Sequence, residues 1–342
     1  MSFKRFDQED VVVSAESVTT PLWTGDINTL TSFYTSSTQI GGTSADYYYD
    51  VYQTSSVLDT ARVQFSLAYA DKKGSGSLLY NANVDGKSPS STIYGQYRNL
   101  VLGDEDSNFN FGGKDSDYFY IIAVDRARYK EKLLPGSFEL FLQESGSATN
   151  KLNLIDNSSV TTTTTFTDSG RVYELVSGSI SNGVHTSLND NGYTSNSGSY
   201  GKLLPDVGII ILNGPALDAI YTAGGMSLGT DRDSNTPGVN NRLLYDVLRH
   251  SGSIRLQSEE TISSNFIFVR ARNSEFNYST NPSLITGSGE LRHNVMIDSP
   301  QSYITAVGLY NDNNDLLAVA KLSRPLLKDF TKETLVRIKL DY

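Results

Sequence analysis

Residue types suited to catalysis are few and dispersed in this sequence. The 342 residues include no cysteine and three histidines, His185, His250 and His293. Without thiols the chain cannot form a disulfide, a thiolate metal site or a cysteine nucleophile. Neither His185 nor His293 has a second histidine or an acid at metal-ligand spacing. His250 ends a predicted helix, where the helix dipole favours a cation, so we expect it to cap that helix.

The acidic residues occur in clusters that favour turns over catalysis. The clusters lie at 104–106, 231–233 and 311–315. Calcium binds carboxylate and carbonyl oxygens, but no cluster has EF-hand spacing, so we expect solvated turns, with ordered calcium as the alternative. Glu259 and Glu260 could supply two carboxylates for glycoside cleavage, but adjacent strand residues do not face each other across a cleft. The sequence therefore predicts no enzyme activity and no catalytic, cofactor-binding or metal-binding residue.

Tyrosine is abundant, with 21 residues beside 14 phenylalanines. The runs Tyr47–Tyr49 and Tyr118–Tyr120 could stack on sugars, because tyrosine has a flat apolar face and a polar tip. Three consecutive strand residues point to alternating faces, however, so neither run forms a continuous platform. Contacts with other subunits explain the surplus better, since tyrosine supplies a large contact area at low entropic cost.

Charge and hydropathy exclude two classes of partner. The 28 basic and 38 acidic side chains give a formal net charge of −10, which repels nucleic acid. No apolar run approaches the roughly 20 residues that cross a bilayer, and no apolar stretch follows the charged N-terminus as in a signal peptide. We expect a soluble protein without a nucleic-acid or membrane partner and without a cofactor.

The hydrophobic pattern predicts strands more often than helices. Arg62–Ala70 alternates apolar and polar residues, as a half-buried strand does. Tyr303–Tyr310 and Leu316–Leu322 flank five residues that tolerate a left-handed backbone, which predicts a hairpin over 303–322. The clearest helix is Asn241–His250, followed by Gly252. The fold class is therefore mainly β, with antiparallel sheets or a sandwich and a few short helices.

Other predictions concern local elements and domain limits. A short helix starts at Ser90 or Ser91 and runs to Leu100. The strands 117–129 and 137–143 form an antiparallel ribbon, and 162–166 pairs with 171–176. Residues 1–144 form the N-terminal β part of the core, 145–204 form a Ser/Thr-rich insertion or protruding subdomain, and 205–342 form the C-terminal β part with helix 241–250.

The C-terminal residues resemble a known class of proteins. The stretch SYITAVGLYNDNNDLLAVAKLSRPLLK, residues 302–328, resembles a strand–turn–strand pattern of attachment and collar regions in bacteriophage tail-fibre proteins. FKRFDQEDVVVSAESVT, DGKSPSSTIYGQYRNLVLG, RARYKEKLLPGS and RNSEFNYSTNPSLITGSGELRH resemble virion structural proteins of T4-like marine phages that infect cyanobacteria. The resemblance thins over 145–200. It implies a structural role in a virion that is assembled in the host cytoplasm.

These observations predict a non-enzymatic component of a contractile-tailed phage particle, in the baseplate or fibre-attachment region. Its partners would be other virion structural proteins, and it would form a homo-oligomer or a symmetric multi-copy assembly. The alternatives are a neck, collar or capsid-surface protein, and a glycan-binding receptor protein. The tail 321–342 is locally basic, so it either docks on an acidic partner or forms a core strand with solvated lysines. The candidate interface residues are Tyr47, Tyr49, Tyr118, Tyr310, Arg324, Lys328, Phe330, Arg337 and Tyr342.

Overall fold

The chain forms two compact units. The computed structural model describes residues 4–36, 47–83, 88–144, 147, 150–184, 196–233 and 238–341. Met1–Ser17 and Thr261–Tyr342 form one unit, which we call the terminal unit, and Val18–Glu260 form the larger unit. The chain therefore passes from one unit to the other at two points, after Ser17 and after Glu260.

Strands are the main element of the described residues. The strands are β1 (Val11–Pro21), β2 (Thr29–Leu30), β3 (Tyr49–Tyr52), β4 (Val63–Asp71), β5 (Phe109–Phe111), β6 (Lys114–Ser116), β7 (Tyr118–Val124), β8 (Lys132–Leu133), β9 (Glu139–Gln143), β10 (Lys151–Asp156), β11 (Thr165–Thr167), β12 (Gly170–Ser179), β13 (Gly183–Val184), β14 (Gly201–Leu204), β15 (Ile209–Asn213), β16 (Ser253–Arg255), β17 (Gln257–Ala271), β18 (Gln301–Tyr310), β19 (Leu316–Asp329) and β20 (Thr334–Asp341). The α-helices are α1 (Pro89–Leu102), α2 (Gly214–Asp218), α3 (Val239–Ser251) and α4 (Val295–Asp298). The predicted mainly-β class with antiparallel sheets and short helices is confirmed.

One sheet dominates the larger unit. Its strand order is β2-β16-β9-β10-β12-β14-β15-β7-β4-β3, and β11 and β13 pair with β12. The predicted insertion at 145–204 is wrong in this respect, because β10, β12 and β14 lie in the middle of the sheet. Their buried leucines, such as Leu154, Leu175 and Leu203, belong to the main core. The hairpin predicted from 162–166 and 171–176 is confirmed, with Thr165 opposite Val172.

Both faces of the central strands are buried. On β7, Tyr120 and Ile122 pack in the main core, whereas Phe119 and Ile121 pack in a second core. Helix α3 packs in the main core and helix α1 in the second. Burial on two sides explains why the β7 sequence is continuously apolar rather than alternating.

The two predicted helices form, with slightly different ends. α1 begins at Pro89, so it starts earlier than the predicted Ser90 or Ser91. It ends at Gly103, whose left-handed backbone directs its N–H to the Asn99 carbonyl. α3 ends where Gly252 N–H donates to the Leu248 carbonyl at 2.8 Å. None of the helices in the described residues has the length and hydropathy needed to span a membrane.

The ribbon predicted from 117–129 and 137–143 is wrong. β7 lies between β15 and β4, and β9 lies between β10 and β16. β8 instead pairs with the first residues of β17, with Ser258 opposite Leu133. Buried strands of similar composition can pair in many orders, so closeness in the sequence did not predict the partner of β7 or of β9.

The terminal unit has two sheets of its own. β17 pairs antiparallel with β20, from Ser264 opposite Asp341 to Ala271 opposite Thr334, and β1 is the neighbour of β17 on the other side. β18 and β19 form the predicted hairpin, with Asn314 in a left-handed conformation in its turn. Leu309 of the hairpin packs with Val336 and Ile338 of β20 in a shared core. The two sheets therefore pack as a small sandwich.

Candidate interaction surface

The outer face of the β18–β19 hairpin is apolar and exposed. Val307 and Leu309 face the shared core, so the alternate residues Gly308 and Tyr310 face away from it. Gly308 lies opposite Val319, and Tyr310 lies opposite Leu316. The register shifts at Tyr310, and this irregularity accommodates Leu317 as an extra residue on β19. We call Gly308, Tyr310, Leu316, Leu317 and Val319 the hairpin patch.

Glycine at position 308 makes room for the Tyr310 ring. A Cβ atom at Gly308 would lie 2.9 Å from Tyr310 Cε2 and 3.3 Å from Leu316 Cδ1. The Tyr310 ring and the Leu316 side chain therefore both approach Gly308 closely. The exposed fractions are 38% for Tyr310, 68% for Leu317 and 53% for Val319. Contiguous exposed apolar side chains of this kind make the hairpin patch a candidate interaction surface.

A second exposed face lies on β17 and β20. The Arg337 guanidinium carbon lies 5.7 Å from the Phe266 ring centroid, and Lys339 Nζ lies 5.9 Å from the same centroid. Lys339 also lies 3.8 Å from the Glu16 carboxylate of the N-terminal segment. Arg337 is thus exposed on a strand whose other face is buried, which agrees with the predicted core strand with a solvated basic face.

Phe330 lines an open cleft in the terminal unit. The cleft has a volume of about 390 Å³, and its lining includes Phe276, Tyr278, Met296 and Ile297. Ile297 and Phe330 are both more than half exposed. Phe330 was among the predicted interface residues, whereas the other lining residues were not, because the segment between β17 and β18 that supplies them has no periodic sequence pattern.

Arg324 is exposed, whereas Lys328 is not. Ile304 lies opposite Leu326, and Ala306 lies opposite Lys321, so 322–325 form a wide bulge that contains Arg324. Lys328 has an exposed fraction of 0%. A fully buried side chain cannot contact another subunit from this position, so the prediction of Lys328 as an interface residue is wrong.

The N-terminal tyrosines separate into exposed and buried positions. Tyr47 is exposed. Tyr49 is buried in the main core, where its ring centroid lies 6.0 Å from that of Tyr245, so it cannot contact another subunit from this position. Tyr47 precedes β3, which begins at Tyr49, so only Tyr49 is held in the sheet and packed against the core. Tyr342 lies outside the described residues, as does His185.

Tyr118 belongs to a polar network rather than a sugar platform. The Arg232 guanidinium carbon lies 4.4 Å from the Tyr118 ring centroid, and the Tyr118 hydroxyl donates to Asp218 at 2.8 Å. Burial and the adjacent Asp218 carboxylate raise the pKa of Tyr118. Arg232 also donates to Asp71, which is fully buried. The Arg232 guanidinium thus covers one face of the Tyr118 ring.

The acidic clusters of the sequence form turns in the described residues. Asp104 accepts the Asp106 N–H, and Asp231 accepts the Asp233 N–H. No group of three residues with metal-ligating side chains is found in the parts of the chain that the structure describes. Glu260, one of the two adjacent acids considered for glycoside cleavage, forms an ion pair with Lys130 at 2.6 Å.

The fold and the exposed surfaces define a mainly-β protein with apolar strand surfaces on its terminal unit. Comparison of the chain with protein-family models, with curated proteins and with solved structures finds no match.

Proposed function

We propose that this chain is a structural component of a contractile-tailed phage particle, in the baseplate or fibre-attachment region, and that it acts through contacts of its terminal unit with other subunits. The hairpin patch is the observation on which this proposal depends. It places Leu317 and Val319 in solvent on a strand pair whose opposite face is already packed. Burial of such side chains against a neighbour supplies the main free energy of stable interfaces.

The position of the patch supports a role in particle assembly. The patch lies within residues 302–328, the same segment that resembles tail-fibre attachment regions. The best-formed polar network of the larger unit, around Asp71, Arg232 and Asp218, consists of side chains that contact each other. These contacts favour a supporting role for the network over substrate binding, so we assign function to the exposed strand surface.

The proposal is tested in the phage that encodes this chain. The variant Leu317→Arg/Val319→Arg places two charges in the hairpin patch. The control Val57→Arg/Leu58→Arg changes two apolar residues of the larger unit that are also more than half exposed. We expect the control protein to enter particles and the patch variant to remain in the lysate as folded protein.

Mass spectrometry of purified particles and electron microscopy measure the outcome. Chain in the tail baseplate or fibre junction supports the proposal, whereas chain at the neck or on the capsid supports the alternative location. Particles without the chain, or normal incorporation of the patch variant, would overturn the proposal.

A further inference from the structure

The β1-β17-β20 sheet of the terminal unit has two edges. Its order is β1-β17-β20, so β1 and β20 are the end strands among the residues that the structure describes. An end strand presents unpaired backbone N–H and C=O groups toward any strand that approaches it.

The first part of β1, Val11–Glu16, carries little of the usual protection of an edge strand. Val12 and Val13 point to opposite faces, yet both are exposed, Val13 to 69%. Val11–Glu16 has no lysine, arginine or proline, and Glu16 is its single charged residue; the proline of β1, Pro21, lies at the other end of the strand. The side chains of Val11–Glu16 are therefore exposed on both faces.

The charges on and near β1 indicate which strand could pair with its edge. Residues 7–17 contain four acidic and no basic side chains, namely Asp7, Glu9, Asp10 and Glu16. Two β1 edges would therefore repel each other. β20 contains Arg337 and Lys339 against the single acid Asp341, and Lys339 already lies close to Glu16 and Asp341 of its own chain. A β1 edge thus meets complementary charge at a β20 edge chiefly through Arg337.

We propose that copies of this chain assemble head to tail, with β1 of one copy adding as a strand beside β20 of the next. The terminal-unit sheet then continues from copy to copy through main-chain hydrogen bonds. Such a heterologous contact forms a ring if the rotation closes and a filament if it does not. This inference rests on the proposed structural function and names one partner of it, a second copy.

Single cysteines test the contact, because the chain has none of its own. Val13→Cys and Leu335→Cys are prepared as two separate proteins, one with a mass tag, and mixed with a short bismaleimide. Leu335 is exposed at 58%, and adjacent strands lie about 4.8 Å apart, within reach of the reagent. Val57→Cys replaces Leu335→Cys in the matched control mixture.

We expect a heterodimer of Val13→Cys with Leu335→Cys, little product from either protein alone, and little from the Val57→Cys mixture. Arg337→Glu in the Leu335→Cys protein should lower the heterodimer yield about threefold, as should high salt. Circular dichroism and thermal melting show whether this variant remains folded.

Each other outcome contradicts head-to-tail assembly. Val13→Cys homodimers would indicate a two-fold contact, and equal product with Val57→Cys would indicate random collision. If no product forms while the chain still enters particles, this inference fails and the proposed function stands.

Discussion

The Nζ atom of Lys328 lies 2.7 Å from the Oδ1 atom of Asn277, and both side chains are buried in the terminal unit. Lys328 also donates to the Asn273 carbonyl at 3.1 Å and to the Asp329 carbonyl at 3.0 Å. Its three N–H donors thus have three neutral oxygen acceptors, which replace water around the charge. The contact joins the 273–277 segment to strand β19.

Replacement of Lys328 should destabilise the terminal unit. Lys328→Met keeps the aliphatic stem but removes the donor to the buried Asn277 Oδ1 atom and to two partly buried carbonyl oxygens, so we expect a loss of about 2 kcal/mol in the free energy of unfolding. Lys321→Met on the exposed face of the same strand is the control and should change it by less than about 0.5 kcal/mol. Urea unfolding measures both, and equal effects would show that the buried contacts contribute nothing.

The Asp71–Arg232 pair should matter to the larger unit. Asp71 is fully buried and accepts the N–H groups of Lys73 and Ser75 as well as the guanidinium of Arg232, which is partly exposed. Arg232→Ala leaves this carboxylate without its cation, so we expect a loss of roughly 2–3 kcal/mol, below that for breaking a fully buried pair.

Arg242→Ala provides the matched control for Arg232→Ala. Arg242 pairs with Asp246 on the surface of helix α3, with both side chains more than half exposed. Such a pair contributes less than about 0.5 kcal/mol. Thermal and urea unfolding should therefore show a clearly larger loss of stability for Arg232→Ala than for Arg242→Ala. A similar loss of stability in both variants would contradict a stabilising role of the Asp71–Arg232 pair.

Local sequence predicted the elements, but not the contacts between distant residues. The 303–322 hairpin and helix α3 follow from turn residues, a terminating glycine and apolar spacing, all within a few positions of each other. Asp71 and Arg232 are 161 positions apart, and no local pattern relates them. Lys328 was predicted to lie at an interface, where lysines are usually exposed. The folded 273–277 segment instead supplies two of the three acceptors of its buried ammonium group. Of the hairpin patch, only Tyr310 was predicted from the sequence. The roles of Gly308 and Leu317 depend on the strand register and on the bulge at Leu317, which the sequence does not show.

The Arg171–Asp206 pair should affect stability at low pH. Burial alone would raise the pKa of Asp206, but hydrogen bonds from the Arg171 side chain and backbone outweigh it and hold the pKa below its usual value of 3.8. A carboxylate with a lowered folded-state pKa stabilises the fold above its unfolded pKa. This stability is lost as the pH falls through the folded-state pKa.

Asp206→Asn should therefore flatten the pH dependence of unfolding. Wild-type protein should lose stability as the pH falls from about 5 to below 3.8, and the variant should lose less over that window. Asp246→Asn removes an exposed carboxylate of helix α3 and serves as the control. Parallel pH curves for wild type and Asp206→Asn, from urea unfolding at each pH, would exclude this contribution.

Two glycine-to-alanine substitutions should change the free energy of unfolding in opposite directions, because one glycine faces open space and the other faces a backbone oxygen. Gly95 lies within helix α1, and a Cβ atom there would meet nothing within 4 Å. Gly95→Ala should stabilise the larger unit by about 0.5–1 kcal/mol, since alanine loses less conformational entropy in a helix.

Gly201 lies on β14, between β12 and β15, and a Cβ atom there would lie 2.0 Å from the Ile211 carbonyl oxygen. Because that oxygen belongs to the paired strand, Gly201→Ala must separate the strands and should cost about 3 kcal/mol or more. Urea unfolding measures the change in the free energy of unfolding for both variants. An unchanged value for Gly201→Ala would show that β14 and β15 do not pair in a register that brings Gly201 close to Ile211.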